Sequence, residues 1–87
     1  PDQLESVACE IAQRFGATIE VVSGEDLITR NFPAIHAVGR ASHRAPRVIT
    51  VRWGDASHRH VALVGKGVCF DTGGLDIKPA DGMRNMK

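Results

Sequence analysis

The stretch Val61–Lys78 reads VALVGKGVCFDTGGLDIK and decides how the rest of the chain is interpreted. It begins with an apolar run, Val61–Val64, which predicts a buried strand. A glycine-rich loop follows and carries three charged side chains, Lys66, Asp71 and Lys78. A rigid strand that ends in glycines is a common place to mount charged groups, because glycines let the backbone approach a ligand closely. The stretch therefore predicts a functional loop.

The residue order in this loop matches the signature of a known family. The matching runs are Val64-Gly65-Lys66-Gly67, Phe70-Asp71-Thr72-Gly73-Gly74, Ile77-Lys78-Pro79 and Gly82-Met83-Arg84-Asn85-Met86-Lys87. Together they resemble the leucyl aminopeptidase (cytosol aminopeptidase) family, exopeptidases that use two metal ions. Thr72 stands where that family usually has serine, and Cys69 where it usually has threonine. Further likeness lies upstream, in Arg30-Asn31-Phe32-Pro33, Gly39-Arg40-Ala41-Ser42 and Ala45-Pro46-Arg47.

The resemblance implies a role for each charged residue of the loop. Lys66 matches the lysine ligand of one metal ion, Asp71 the carboxylate that bridges both ions, and Lys78 the catalytic lysine. The implied cofactors are two divalent ions, Zn²⁺ or Mn²⁺. The implied enzyme is a cytoplasmic hexamer that releases N-terminal residues, leucine favoured, from peptides with a free N-terminus. The implied fold is α/β, a mixed sheet flanked by helices, and this chain would be a fragment of that catalytic domain.

These roles are chemically coherent. A lysine can ligate a metal only as the neutral amine, so burial or a nearby dication must lower the pKa of Lys66. An ionised aspartate is a hard oxygen donor that suits Zn²⁺, Mn²⁺ or Mg²⁺. Two such ions can activate a shared water, and a protonated Lys78 would add positive charge where a carbonyl oxygen becomes an oxyanion. Pro79 favours an extended backbone at Lys78 and so helps to orient its side chain.

Other interpretations exist for the same residues. Taken singly, Lys66 and Lys78 read as solvated surface charges and Asp71 as a turn residue; their joint spacing favours the functional interpretation. A P-loop is excluded, because His60 and Gly67 stand where that motif needs glycine and Ser or Thr. The run from Val68 to Gly73 also resembles the Asp-Thr-Gly motif of aspartic proteases, although only 16 residues follow Asp71. A non-enzymatic relic or interaction module of the same fold is the remaining alternative.

Length and composition limit the number of domains and the classes of protein to which the chain can belong. Eighty-seven residues make one small domain at most, with 11 basic and 10 acidic side chains that give no hint of nucleic acid or membrane. No apolar run approaches the roughly 18 residues that a transmembrane helix needs. Cys9 and Cys69 form no CxxC motif and suggest no disulfide framework, which fits a reducing cytoplasm.

The pattern along the chain predicts the order α-β-α-β-β. Apolar residues at helical spacing and a glycine at the C-terminal end predict a first helix over residues 2–15. Residues 34–42 are ambiguous between helix and strand. The other predicted elements are a strand at Thr18–Val22, a helix at Gly24–Asn31 that ends before Pro33, a strand at Arg47–Trp53, a turn at Gly54–Ser57 and a hairpin strand at Val61–Val64.

Three further features of the sequence are weaker candidates for a functional role. His58 and His60 are two apart and could share a metal, but they more simply edge a solvated turn. The basic stretch His36–Arg47 lacks interleaved aromatic residues, so a solvated loop is favoured over a phosphate or subunit contact. Cys69 lies among apolar residues and has no evident His partner, which predicts a buried, inert thiol.

Overall fold

A computed structural model describes residues 1–86 of the chain, so the last residue of the family signature, Lys87, lies outside the described residues. The described part contains both helices and strands, which confirms the mixed α/β class. Its order is α-β-α-α-β-α and not the predicted α-β-α-β-β. The elements are α1 Asp2–Arg14, β1 Thr18–Ser23, α2 Asp26–Thr29, α3 Pro33–Gly39, β2 Arg47–Arg52 and α4 Ala80–Arg84.

The first three helices follow the local signals in the sequence. α1 ends one residue earlier than predicted, and Gly16, with φ +64°, turns the chain out of the helix as expected. The helix predicted over residues 24–31 is reduced to the single turn of α2, after which Asn31 adopts φ +63°. Pro33 then begins α3, since the first turn of a helix does not need its missing N–H. The ambiguous segment 34–42 is therefore mainly helical.

The sheet consists of β1 and β2, paired antiparallel. Thr18 lies opposite Arg52 and Ser23 opposite Arg47, so all six residues of each strand are paired. Both strands are rich in β-branched residues, which pack well on a pleated surface. The two strands were predicted separately, but their pairing across the intervening α2 and α3 was not.

The buried core is small. In the described residues the buried hydrophobic side chains are Ala12 of α1, Val22 of β1 and Leu27 of α2, and Leu27 has no exposed surface. α1 and α2 both contact β1. The apolar stripe predicted for α1 is about half exposed, at Leu4, Val7, Ile11 and Phe15. A two-stranded sheet offers too little surface to cover that stripe. Within residues 1–86, no helix is long and apolar enough to cross a bilayer.

The guanidinium of Arg47 fastens the N-terminus of α1 to the start of β2. It donates to Glu5 and, over 2.6 Å, to Asp2, while its side chain is only 12% exposed. It also donates to the Ala45 carbonyl oxygen at 3.0 and 3.2 Å. Burial of Asp2 opposes ionisation, but the hydrogen bond and charge of Arg47 prevail and lower the pKa of that carboxyl. Arg47 is thus part of a structural cluster and not of the solvated loop that the sequence predicts.

A second contact holds the other end of the same pair of elements. The indole N–H of Trp53, directly after β2, donates to the Phe15 carbonyl oxygen at the end of α1 over 3.1 Å. α1 rises about 20 Å over its 13 residues and β2 spans about 20 Å over six. The helix and the strand therefore match in length and are joined at both ends.

The predicted hairpin strand Val61–Val64 does not form in this chain. The segment has no regular secondary structure, and Leu63 and Val64 are 94% and 97% exposed. A four-residue apolar strand is stabilised only if neighbours pair its backbone and cover its faces. Among residues 1–86, no strand pairs with Val61–Val64 and no second layer covers it.

We predict that Arg47→Lys lowers the melting temperature by a few degrees, because a single ammonium cannot reproduce the paired hydrogen bonds of a guanidinium to two carboxylates. Arg52→Lys is the matched control, since Arg52 is 66% exposed and lies 3.5 Å from Glu20. Exposed ion pairs contribute little. Thermal unfolding of the full-length protein, followed by circular dichroism, measures the melting temperature of both variants. Equal shifts in the two variants would show that the Arg47 cluster has no special role.

Candidate active site

Two of the three predicted site residues form a compact pair on the loop after Val64. The Lys78 ammonium nitrogen lies 3.0 Å from the Asp71 carboxylate oxygen Oδ2 and 3.0 Å from the Asp71 carbonyl oxygen. Its third close partner is the thioether sulfur of Met86, at 3.1 Å. An ammonium has three N–H donors, so all three are matched with acceptors. The Lys78 side chain is 26% exposed and that of Asp71 42%.

The pair is held together by a tight turn that depends on Gly73. The Lys78 amide donates to the Thr72 carbonyl oxygen over 2.8 Å and closes the turn. The Gly73 amide donates to Asp71 Oδ1, also over 2.8 Å. Gly73 has φ +92°, and a Cβ there would collide with the Asp76 carbonyl oxygen and lie 3.1 Å from the Lys78 amide nitrogen. Only glycine fits both the dihedral angle and the space.

The surroundings of Asp71 favour its ionised form. The hydrogen bond from the Gly73 amide lowers the pKa of Asp71, and the hydrogen bond from Lys78 lowers it further. Partial burial opposes this shift, while the charges of Lys78 and Lys66 reinforce it. Asp71 is therefore a carboxylate throughout the neutral pH range, with two positive charges near it.

Lys66 lies apart from this pair, at the edge of a groove. The groove has a volume of about 760 Å³ and lies between the Gly65–Phe70 loop, α3 and the segment that leads into β2. Its lining includes the apolar side chains of Ile35, Val38 and Val68 together with Lys66. Asp71 and Lys78 are not among its lining residues. The groove and the Asp71–Lys78 pair are thus neighbouring features of one loop and not a single cavity.

The loop is positioned by α1. Leu4 packs so close to Gly67 that a Cβ at residue 67 would lie 2.9 Å from a Leu4 methyl carbon. The fastening of α1 by Arg47 therefore also supports the loop at Gly67.

The weaker sequence candidates do not join this site. His58 and His60 are exposed, as a solvated turn predicts. The turn at Gly54–Ser57 is confirmed, with Asp55 accepting from the Ser57 amide over 2.8 Å. Cys69 is exposed, so the prediction of a buried thiol is wrong; without a paired strand, the loop leaves it open. Among residues 1–86, no three or more His, Cys, Asp and Glu side chains cluster as a metal site.

Sequence reasoning missed Met86 and the helix that brings it to Lys78. α4 is five residues long, too short to show a helical repeat, and was not predicted. It reverses the chain after Pro79 and returns Met86 to the ammonium. A hydrogen bond from the Met83 amide to the Pro79 carbonyl oxygen, over 3.0 Å, begins that reversal.

Comparison with known proteins shows that the chain is similar to proteins named as aminopeptidases. The family described as "Cytosol aminopeptidase family, catalytic domain" matches residues 1–87. The "Probable cytosol aminopeptidase" of Corynebacterium efficiens is 42% identical over 87 residues, which are 99% of this chain and 17% of that protein. The "Leucine aminopeptidase 1" of Caenorhabditis elegans is 41% identical over 87 residues, 99% of this chain and 18% of that protein. No solved structure gives a significant match.

The chain therefore belongs to the cytosol aminopeptidase family, as its loop signature predicts. It spans about a sixth of the length of the relatives it matches. Neither the aspartic protease alternative nor the non-enzymatic one gains support from these matches. The metal-ligand and catalytic roles of Lys66, Asp71 and Lys78 stay predictions.

We predict that Gly73→Ala opens the turn, whereas Gly74→Ala leaves it closed. Both glycines have positive φ, +92° and +67°, so both substitutions carry a left-handed backbone cost of about 1–2 kcal/mol. Only at Gly73 does the new methyl group also collide with backbone; at Gly74 nothing lies within 4 Å. Hydrogen exchange of the Lys78 amide reports the bond that closes the turn. Equal protection of that amide in the two variants would contradict the steric role of Gly73.

Proposed function

We propose that this chain is part of a longer, metal-dependent aminopeptidase that releases N-terminal residues, leucine favoured, from peptides. The observation that carries the proposal is the Asp71–Lys78 pair, held by the Gly73 turn inside the family signature. The apolar stripe of α1 is half exposed, and the apolar segment Val61–Val64 is exposed. Apolar surfaces of this kind are normally covered by other parts of a protein, which supports the proposal that the protein is longer. Cytosolic location and a hexameric assembly are part of the same proposal.

The residues of the loop fit a divalent ion by their chemistry. Asp71 is ionised, and a carboxylate oxygen that accepts one hydrogen bond retains a further lone pair for a ligand. Lys66 would serve as a nitrogen ligand only in its neutral form, which a bound dication favours. Two residues are too few for a pair of ions, since metal sites of this kind use about four ligands for each zinc. The other ligands would come from elsewhere in the longer protein.

The chain's own part in the reaction is electrostatic. When bound, a pair of Zn²⁺ or Mn²⁺ ions supplies Lewis acidity and a nucleophile at neutral pH. The Lys78 ammonium supplies a preorganised N–H donor for the oxygen of the scissile carbonyl as negative charge develops there. Two of its donors are engaged by Asp71, so the one held by the weak sulfur acceptor of Met86 is the easiest to redirect to the substrate. Asp71 thereby orients the lysine that acts on the substrate.

We expect Lys66→Arg in the full-length protein to lose metal from one site. A guanidinium stays protonated at all usable pH values and has no lone pair to offer. Lys78→Arg is the matched control and should keep the full metal content, because Lys78 is assigned no metal. Native mass spectrometry of the purified proteins counts the ions directly. Two tightly held ions per subunit in Lys66→Arg would exclude a ligand role for Lys66.

Lys78→Ala should be metal-replete and slow. Removal of one donor to a developing oxyanion typically costs about 10²–10³ in kcat, or roughly 2.7–4 kcal/mol. Because the interaction strengthens mainly in the transition state, KM should change little. Steady-state hydrolysis of leucine-p-nitroanilide, with metal counted on the same sample, measures both. A wild-type kcat, or loss of an ion, would show that Lys78 has another role.

A further inference from the structure

The aliphatic stem of Lys78 lies in a slot between two glycines on separate parts of the chain. A Cβ built at Gly73 would lie 3.2 Å from Lys78 Cγ. A Cβ built at Gly82, in α4, would lie 3.4 Å from Lys78 Cβ and 3.8 Å from Lys78 Cγ. The first wall of the slot belongs to the turn and the second to the helix.

The positive φ of Gly73 already requires glycine at that position, but the backbone of Gly82 has no such requirement. Its φ is outside the left-handed region, so any residue could adopt its conformation. In the middle of a helix, glycine is less favourable than alanine by about 1 kcal/mol. Local stability therefore gives no reason for glycine at this position. The stem of Lys78, four residues earlier, leaves room there for a methyl group in ordinary contact and so favours a small residue.

The slot matters because the ammonium has to reach several partners at once. Its nitrogen lies 3.0 Å from two oxygen atoms of Asp71 and 3.1 Å from the Met86 sulfur. All three partners approach a single nitrogen at the end of a flexible four-carbon stem. A side chain projecting from residue 82 toward the stem would displace the nitrogen from this arrangement.

We propose that Gly82 is a positioning residue for Lys78: the position has to stay small, because a methyl group there is in ordinary contact with the lysine stem, whereas a branched side chain would fill the space that sets the direction of the ammonium. The proposal rests on the function proposed above, in which Lys78 acts on the substrate. It makes α4 more than a connection, because the helix forms one wall of the catalytic lysine's slot. Gly82 itself contacts no substrate.

A size series at residue 82 of the full-length protein tests the proposal. Gly82→Ala should keep kcat within about twofold, since its methyl group would be in ordinary contact with Lys78. Gly82→Val adds branched bulk in the slot, and a misplacement of about 1 Å costs up to roughly 10² in rate. We expect kcat to fall about 10–100-fold, with KM and metal content unchanged. Ala80→Val is the matched control in the same helix; its side chain is exposed and kcat should stay at the wild-type value.

A double-mutant cycle with Lys78→Ala separates positioning from a general structural effect. If Gly82→Val acts through Lys78, it should slow the wild-type enzyme but not the Lys78→Ala enzyme. Equal slowing in both backgrounds, or a wild-type kcat in Gly82→Val, would overturn the inference. A wild-type kcat in Lys78→Ala would instead overturn the proposed role of Lys78, and the inference with it.

If a variant loses metal or has a lowered melting temperature, its kcat does not measure the position of the Lys78 ammonium. If Gly82→Val does so, Gly82→Ser replaces it in the cycle, because serine adds one atom beyond Cβ. A slow, metal-replete Gly82→Ser whose effect vanishes in the Lys78→Ala background supports the proposal. A fast Gly82→Ser, or one whose effect persists without Lys78, overturns it.

Discussion

The structure depends first on the fastening of α1 to β2 by the Arg47 guanidinium. Because residues 1–86 contain only three buried hydrophobic side chains, burial alone contributes little to fixing the position of the helix. The Arg47 contacts with Asp2 and Glu5 at one end, and the Trp53 contact with Phe15 at the other, fix its position along the strand. Leu4 of the same helix packs against Gly67, so a contact far from the signature loop supports the loop beside Lys66.

The residues of the candidate site were named from the family resemblance and their roles stay predictions, but the turn that joins two of them is a local feature. Asp71, Gly73 and Lys78 lie within eight positions, and the turn that joins them depends on a dihedral angle that only glycine adopts readily. Such turns form from their own residues and need little from the rest of the protein. The same holds for α1 and the two strands, whose spacing of apolar or β-branched residues is a local property. For these elements, the sequence pattern and the observed structure agree to within a residue or two.

Two of the failures share a different physical cause, since each concerns a partner distant in sequence. Val61–Val64 has the composition of a buried strand, but a strand needs a neighbour, and no strand pairs with this segment among residues 1–86. Arg47 reads as one charge in a basic loop, because nothing near it indicates acidic partners more than 40 residues earlier. The spacing of Asp2 and Glu5 places both on one face of α1, and this was the only sign in the sequence of an acidic pair that could bind an arginine. α4 is too short for periodicity, so Met86 could not be linked to Lys78.

The two-stranded sheet also bears on how this chain behaves in concentrated solution. Within residues 1–86 each strand pairs along one edge only, so the other edge presents N–H and C=O groups without a strand partner. Val61–Val64 is an uncharged, proline-free apolar run that is almost fully exposed at Leu63 and Val64. An open edge and a bare apolar segment together are a template for intermolecular β-pairing. Self-association of this chain therefore competes with folding, and low protein concentration favours the monomer.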